Sequence, residues 1–210
     1  NGHIISNMYV NRPNDDNNGL FGVATNGYIK NLGITLSYII GNYNQGGITG
    51  WNGNVVSCFN AATVRGNART AGLCGATCFI KNSYNLGDIA NGIDALTGGI
   101  SSGWGKIKNC YNKGDIKSKG ESVGGIIGWS ASVYDSYNLG NVTVNSNLAS
   151  KSGGIMGQGT VDGTIYSTIK NSFNLGNTNG GGILGGQYSI SKYEKFKLRL
   201  IGNYYLSASA

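Results

Sequence analysis

Histidine and proline are each reduced to one residue in 210, and charged side chains make up only 12% of the chain. That charged share is about half the globular average. The lone histidine, His3, has no positioned partner, so it cannot anchor a nucleophile–histidine triad. It reads as a turn or capping residue. A His-Glu-x-x-His zinc motif is ruled out. No run of 18 apolar residues occurs, so no membrane insertion is expected. The chain opens at Asn1-Gly2-His3 with no charged-then-apolar stretch, which suits a mature product or an excised piece.

Glycine, by contrast, is abundant at 37 residues, and much of it sits in a motif that recurs along the whole chain. Gly-Gly-Ile-x-Gly and close variants appear around Leu20, Ile48, Leu73, Ile100, Ile126, Ile155 and Ile183, at spacings of 28, 25, 27, 26, 29 and 28 residues. A fixed period of this length means stacked units that bury their apolar faces against one another. Eleven residues after the marker comes an aromatic, at Phe59, Tyr84, Tyr111 and Tyr137, within strings such as Lys81-Asn82-Ser83-Tyr84-Asn85. Both halves are short, rich in Ile, Val and aromatics, and bounded by Gly and Asn, as strands are. Helical spacing of the apolar residues is absent. Each unit is expected to hold two or three short strands.

Repeats of about 27 residues of strand and turn form a parallel β-solenoid, whose coils stack about 4.8 Å apart. The expectation is all-β, a single domain over 1–210 of about seven coils. Residues 1–46 form atypical first coils, 47–157 regular coils, and 158–210 coils with insertions and a cap. An aliphatic column fills the core, and the Phe/Tyr column stacks as a buried ladder. A polar column comprises Asn82, Asn109, Asp135, Asn171 and Asn203 before the aromatics and Asn85, Asn112, Asn138 and Asn174 after them. Repeated Asn at a corner can bond its amide to the next coil and accept a left-handed backbone. The glycines are read as corners that need positive φ.

The net charge of +7 raises nucleic acid as a partner. The basic residues read as scattered, with Lys30, Lys81, Lys108 and Lys170 at repeat corners and acids on the same faces, and no nucleic-acid motif is present. Nucleic acid is therefore not expected, and weak attraction to anionic glycans is favoured.

Several strings carry a family resemblance: Asn1-Gly2-His3-Ile4-Ile5-Ser6-Asn7-Met8-Tyr9-Val10, Asn18-Gly19-Leu20-Phe21-Gly22, Tyr28-Ile29-Lys30-Asn31-Leu32-Gly33-Ile34, and Gly47-Ile48-Thr49-Gly50-Trp51 followed by Cys58-Phe59-Asn60. Together they resemble the GLUG-motif repeat region of bacterial secreted and cell-surface proteins, including adhesin-like proteins and the accessory repeats of immunoglobulin A proteases. The resemblance spans essentially the whole chain. It implies a location outside the cell or on the bacterial surface, with glycans or host and cell-surface components as partners. The family usually has a Gly-x-Phe-Asp-Gly segment ahead of the position of Asn1, so the chain is expected to start partway through a first coil. Such a coil would be sticky and open to head-to-tail self-association. The peptidase activity of the immunoglobulin A proteases does not carry over, because its zinc motif is missing.

Parallel β-helices also include polysaccharide-cleaving enzymes, which need paired carboxylates or a calcium site. Asp88 and Asp115, in the matching strings Gly87-Asp88-Ile89 and Gly114-Asp115-Ile116, should stack on adjacent coils and are the weak metal candidates. The simpler reading is an Asx turn, because Asn141 and Asn177 fill the later equivalents. Asp15 and Asp16 read as solvated loop acids. Cys58 and Cys110 share a column two coils apart, too far for a disulfide. Cys74 and Cys78 could be close across a corner, although unpaired buried thiols are the favoured reading of all four cysteines. No catalytic residue and no cofactor are expected.

The marker-to-aromatic distance of eleven grows to 18 from Ile155 to Phe173 and to 22 from Ile183 to Tyr205. The inserts Gln158–Ile169 and Gln187–Leu200 leave the same corner of neighbouring coils and should meet on one side. Such insertions often make a binding face, here a basic, tyrosine-bearing one formed by Tyr166, Tyr188, Lys192, Tyr193, Lys195 and Lys197. A C-terminal cap ending in an edge strand with one basic face is the simpler reading. The sequence thus points to a non-enzymatic adhesive or structural rod. The alternatives are a self-assembling extracellular filament subunit and a carbohydrate-active β-helix enzyme.

Overall fold

The computed structural model describes residues 2–145, 147, 151–162, 165–189 and 199–205. Short strands, stacked coil on coil in parallel register, form a β-solenoid of about six turns. Seven markers predict a seventh, but the unit that follows Ile183 is described only as far as Tyr205.

Each regular coil has four faces, one more than the two or three strands expected. After Gly47 the chain runs through Thr49–Trp51, Gly53–Val56, Phe59–Asn60 and Thr63–Ala71. The next coil revisits the same four faces at Cys74, Cys78–Lys81, Tyr84–Asn85 and Ile89–Gly98. We name these the tryptophan, lysine, ring and long-strand faces. The extra corner escapes notice because one residue makes it. Asn52, Thr77, Trp104 and Ser130 turn the chain between the first two faces, each with φ between 45° and 59°. Ser57, Asn82, Asn109, Asp135 and Asn171 do the same before the ring face. Thr and Trp are unusual in that conformation.

The aliphatic column is internal as expected. Ile48, Leu73, Ile100, Ile126, Ile155 and Ile183 join Val55, Ile80, Ile107, Val133 and Ile169 in one continuous core. A second, smaller cluster lies along the long-strand face, from Ile39 through Val64, Ile89 and Ile116 to Val142. Removing these side chains from water is the main stabilising term.

The aromatic ladder exists, but on the outside. Phe59, Tyr84, Tyr111, Tyr137 and Phe173 stack in sequence, with centroids 4.8–5.1 Å apart and planes within 6°. The rings are half-buried, not core. Strand alternation explains the correction: the ring points out, so the next residue points in. That next residue is the asparagine. Asn60, Asn85, Asn112 and Asn138 are fully buried and Asn174 nearly so. The Nδ2 of each of the first four donates to Oδ1 of the asparagine one coil on, at 2.8–2.9 Å. Each of the five donates to the carbonyl two residues ahead in its own coil. Burying five amides is tolerable only because both amide hydrogens of the inner rungs are used.

This polar row also accounts for glycines. Among the described residues only Gly2, Gly53, Gly105 and Gly202 have left-handed φ, so left-handed corners are not the general reason for glycine here. Asparagine, serine and others make those corners. Gly47, Gly72, Gly99, Gly125 and Gly154 instead lie against the asparagine row, where an added Cβ would come within 3.0 Å of an asparagine side-chain atom.

Register corrects the last coil as well. Phe173 pairs with Tyr204, not Tyr205, so Gly202 takes the left-handed corner with φ 59°. Asn203 falls in the serine column, where its Oδ1 accepts the Ser172 N–H at 2.9 Å.

Candidate functional site

The lysine face is a seven-stranded sheet from Tyr28–Lys30 to Arg199–Ile201. Its middle residues, such as Ile80 and Ile107, point into the core, so the flanking residues point out. One outward column reads Lys30, Val56, Lys81, Lys108, Tyr134, Lys170 and Ile201. The other reads Tyr28, Asn54, Phe79, Lys106, Ser132 and Thr168. No outward position carries an acid. Lys30, Lys81, Lys106, Lys108 and Lys170 thus share one face with no acid at its outward positions, while Arg65, Arg69 and Lys117 lie on the long-strand face. The clue in the sequence is the repeated Lys-Asn pair at Lys30, Lys81, Lys108 and Lys170.

Local geometry keeps these side chains in water. Lys81 and Lys108 occupy paired positions on adjacent strands, and Lys106 stands two residues before Lys108. Phe79 is 61% exposed and Tyr28 68%. With Asn54, Val56, Ile80 and the three lysines they line a shallow groove. The Lys30 ammonium lies 4.8 Å from the centroid of Tyr28, and that of Lys106 5.4 Å from Tyr134. The nearest acid is Asp135 at the corner, whose carboxylate meets Lys108 at 3.7 Å.

Asp88 and Asp115 do stack, and their oxygens serve the stack. Asp88 Oδ1 accepts the Asp115 N–H at 3.0 Å, and Asp115 Oδ1 accepts the Asn141 N–H at 2.9 Å and its amide at 3.0 Å. Asn141 Oδ1 accepts the Asn177 N–H at 3.1 Å in the same way. An amide does what the carboxylates do, as the Asx-turn reading requires. Among the described residues no three His, Cys, Asp or Glu side chains come together as metal ligands. His3 is exposed on the outermost strand of the ring face, its backbone N–H bonded to the Asn31 carbonyl. Asp15 and Asp16 are exposed, beside Arg12 and Asn42.

The described starts of the two inserts run side by side. Met156–Asp162 turns back on Ile165–Tyr166, and Leu184–Ser189 pairs alongside, with Tyr188 opposite Thr160. Tyr166 and Tyr188 are thus placed by their backbone alone. Lys192, Tyr193, Lys195 and Lys197 lie outside the described residues.

The cysteines divide. Cys74 and Cys78 form a disulfide across the corner at Thr77, with Cα atoms 6.4 Å apart, which corrects the expectation of four free thiols. A chain that turns at one left-handed residue brings its flanks within bridging distance. Cys58 and Cys110 are free and buried. Burial pushes the Cys110 thiol up to about 12 and raises that of Cys58 as well. Neither has the thiolate character of a nucleophile.

Comparison of the chain with known family models, with curated proteins and with solved structures found no match.

Proposed function

We propose that this solenoid is a non-enzymatic module of a secreted or surface-attached bacterial protein, serving as an adhesive or structural rod. The observation that carries this reading is the pair of uninterrupted ladders, asparagine inside and aromatic outside, which tie five successive coils into one stiff body. Its chemistry-bearing residues stand in parallel outward columns, the arrangement of a binding surface and not of a convergent reaction centre. The resemblance to GLUG repeats supports the same location and task. Small-angle X-ray scattering should give a rod profile, and beads coated with the chain should adhere to bacterial or host cell surfaces. A compact scattering profile, or polysaccharide cleavage that Asp88→Asn or Asp115→Asn abolishes, overturns the proposal.

A second reading, head-to-tail assembly, is favoured by the outermost coil. Its strands pair on one side only, and Ile4, Tyr9 and Tyr28 are exposed there. Unpaired edges of this kind recruit further strands. Light scattering across a concentration series separates filaments from monomers.

A further inference from the structure

We propose that the lysine face binds an extended acidic polysaccharide of the uronate type, lying along the stack; this rests on the adhesive reading above and names its ligand. Lys81 and Lys108 stand in register on neighbouring strands, roughly 4.8 Å apart at the backbone. Like charges so placed destabilise a sheet. Asp135 meets Lys108 from the corner and also accepts from the Asn171 amide. A row of carboxylates from outside would relieve the repulsion along the remaining column. Lys30 lies two strands from Lys81, and Lys170 two strands beyond Lys108, so the column offers cations over about 24 Å, five intervals of ~4.8 Å. The step between strands is of the size of one sugar residue in an extended chain.

The aromatic rings make the second half of the site. Phe79 stays exposed although it shares the groove with Val56 and Tyr28. Exposed rings that share one groove rimmed by cations form the kind of patch that serves as an interaction site. A flat ring suits the apolar C–H face of a pyranose, with lysines reaching the carboxylates at its rim. Single-stranded nucleic acid would also stack on rings in a basic groove. The groove, however, is lined by Lys81, Lys106 and Lys108 and by no arginine, and arginine is the residue whose fork fits phosphate. Carboxylates need only point charges.

The test uses the whole chain and three probes: polygalacturonate, its fully methyl-esterified form, and a single-stranded DNA oligonucleotide. Titration calorimetry at low and at physiological salt is expected to show binding of polygalacturonate that weakens with salt, with much weaker binding of the ester. The Lys81→Gln/Lys108→Gln variant should weaken binding by about tenfold. Phe79→Ala should weaken it while leaving its salt dependence unchanged. Both sites are on the surface, and an unaltered thermal midpoint shows that the fold survives. Equal binding of the ester, full binding by the double-lysine variant, or DNA binding as tight as that of polygalacturonate overturns the inference. If polygalacturonate fails to bind while the chain still scatters as a rod, the inference falls and the rod reading stands. A compact profile removes the rod reading whatever the glycan does.

Discussion

Gly99 and Asn112 are fitted to one another: a Cβ on Gly99 would stand closer than 3.0 Å to both Cγ and Cβ of Asn112. The same fit recurs between Gly72 and Asn85 and between Gly125 and Asn138. Neither column can be understood without the other. The glycine directly before the aliphatic marker keeps its backbone against the buried amide of the ring face. Gly99→Ala has no room to relax, since the carbonyl of Gly125 blocks the other side. Overpacking a site like this costs about 3 kcal/mol or more, whereas Gly27→Ala, at 3.2 Å from the nearest atom, should cost less than about 1 kcal/mol. Urea unfolding of the two variants checks the contrast.

Asn112→Ala should be among the most damaging polar-to-apolar changes in the chain. It strands the Asn85 amide, which donates to Asn112, and the Asn138 oxygen, which accepts from it. Each orphaned buried group costs about 1–3 kcal/mol. A loss below about 1 kcal/mol in chemical denaturation would show that the row contributes nothing to stability.

Tyr111 sits between Tyr84 and Tyr137 in the outer ladder. Because the ring is half-exposed, Tyr111→Ala should cost about 1–3 kcal/mol, the worth of two stacked pairs, and not the larger loss of a core aromatic. Desolvation within the stack, followed by its two tyrosine neighbours, raises the Tyr111 phenol. Tyrosine absorbance should therefore show a component above the ordinary value of 10.0 that Tyr111→Phe removes.

For Cys110 the sign of the pH dependence follows from burial. The folded state holds the thiol proton up to about 12, against an ordinary value of 9.0. Between these two values the unfolded chain loses a proton that the folded chain keeps, so stability falls as pH rises. Cys110→Ser should remove that part of the alkaline loss. A hydroxyl suits the position, because Ser136 Oγ in the next coil already accepts the Cys110 N–H at 3.1 Å. Thiol reagents should leave native Cys58 and Cys110 unmodified and label both on unfolding.

Asp88→Asn and Asp115→Asn should leave fold and adhesion unchanged, since Asn141 already performs the same hydrogen bonding in the same column. Calcium titration followed by calorimetry should show no difference between the variants and the parent.

The period and the parallel stacking are legible in the sequence because the aliphatic marker and the aromatic recur together, and each occupies one column. Which of two neighbours faces inward is not legible: Tyr111 and Asn112 alternate with equal regularity, and only the alternation of the strand sends the ring out. The amide is the surprising inward choice, since hydrophobicity favours the ring. The single-residue corners at Thr77 and Trp104 left no signature, because those residues seldom take positive φ. The lysine face needed the exact register of its strands. That Lys81 and Lys108 share a repeat position is legible from their equal offset from Leu73 and Ile100, but their place on a strand and not at a corner is not.

The asparagine row has a further consequence for how such a chain can change in length. Each amide reads only the amide on the neighbouring coil, and every rung is chemically the same as the next. Cutting out residues 85–111 would join Tyr84 to Asn112, and Asn112 would then lie above Asn60 as Asn85 does now. The shortened chain would close with its ladders intact. Removing a single residue inside a coil would instead throw one ladder out of step. Genetic gain or loss is therefore tolerated in whole coils, and the reach of the molecule is adjustable in steps of a single rung.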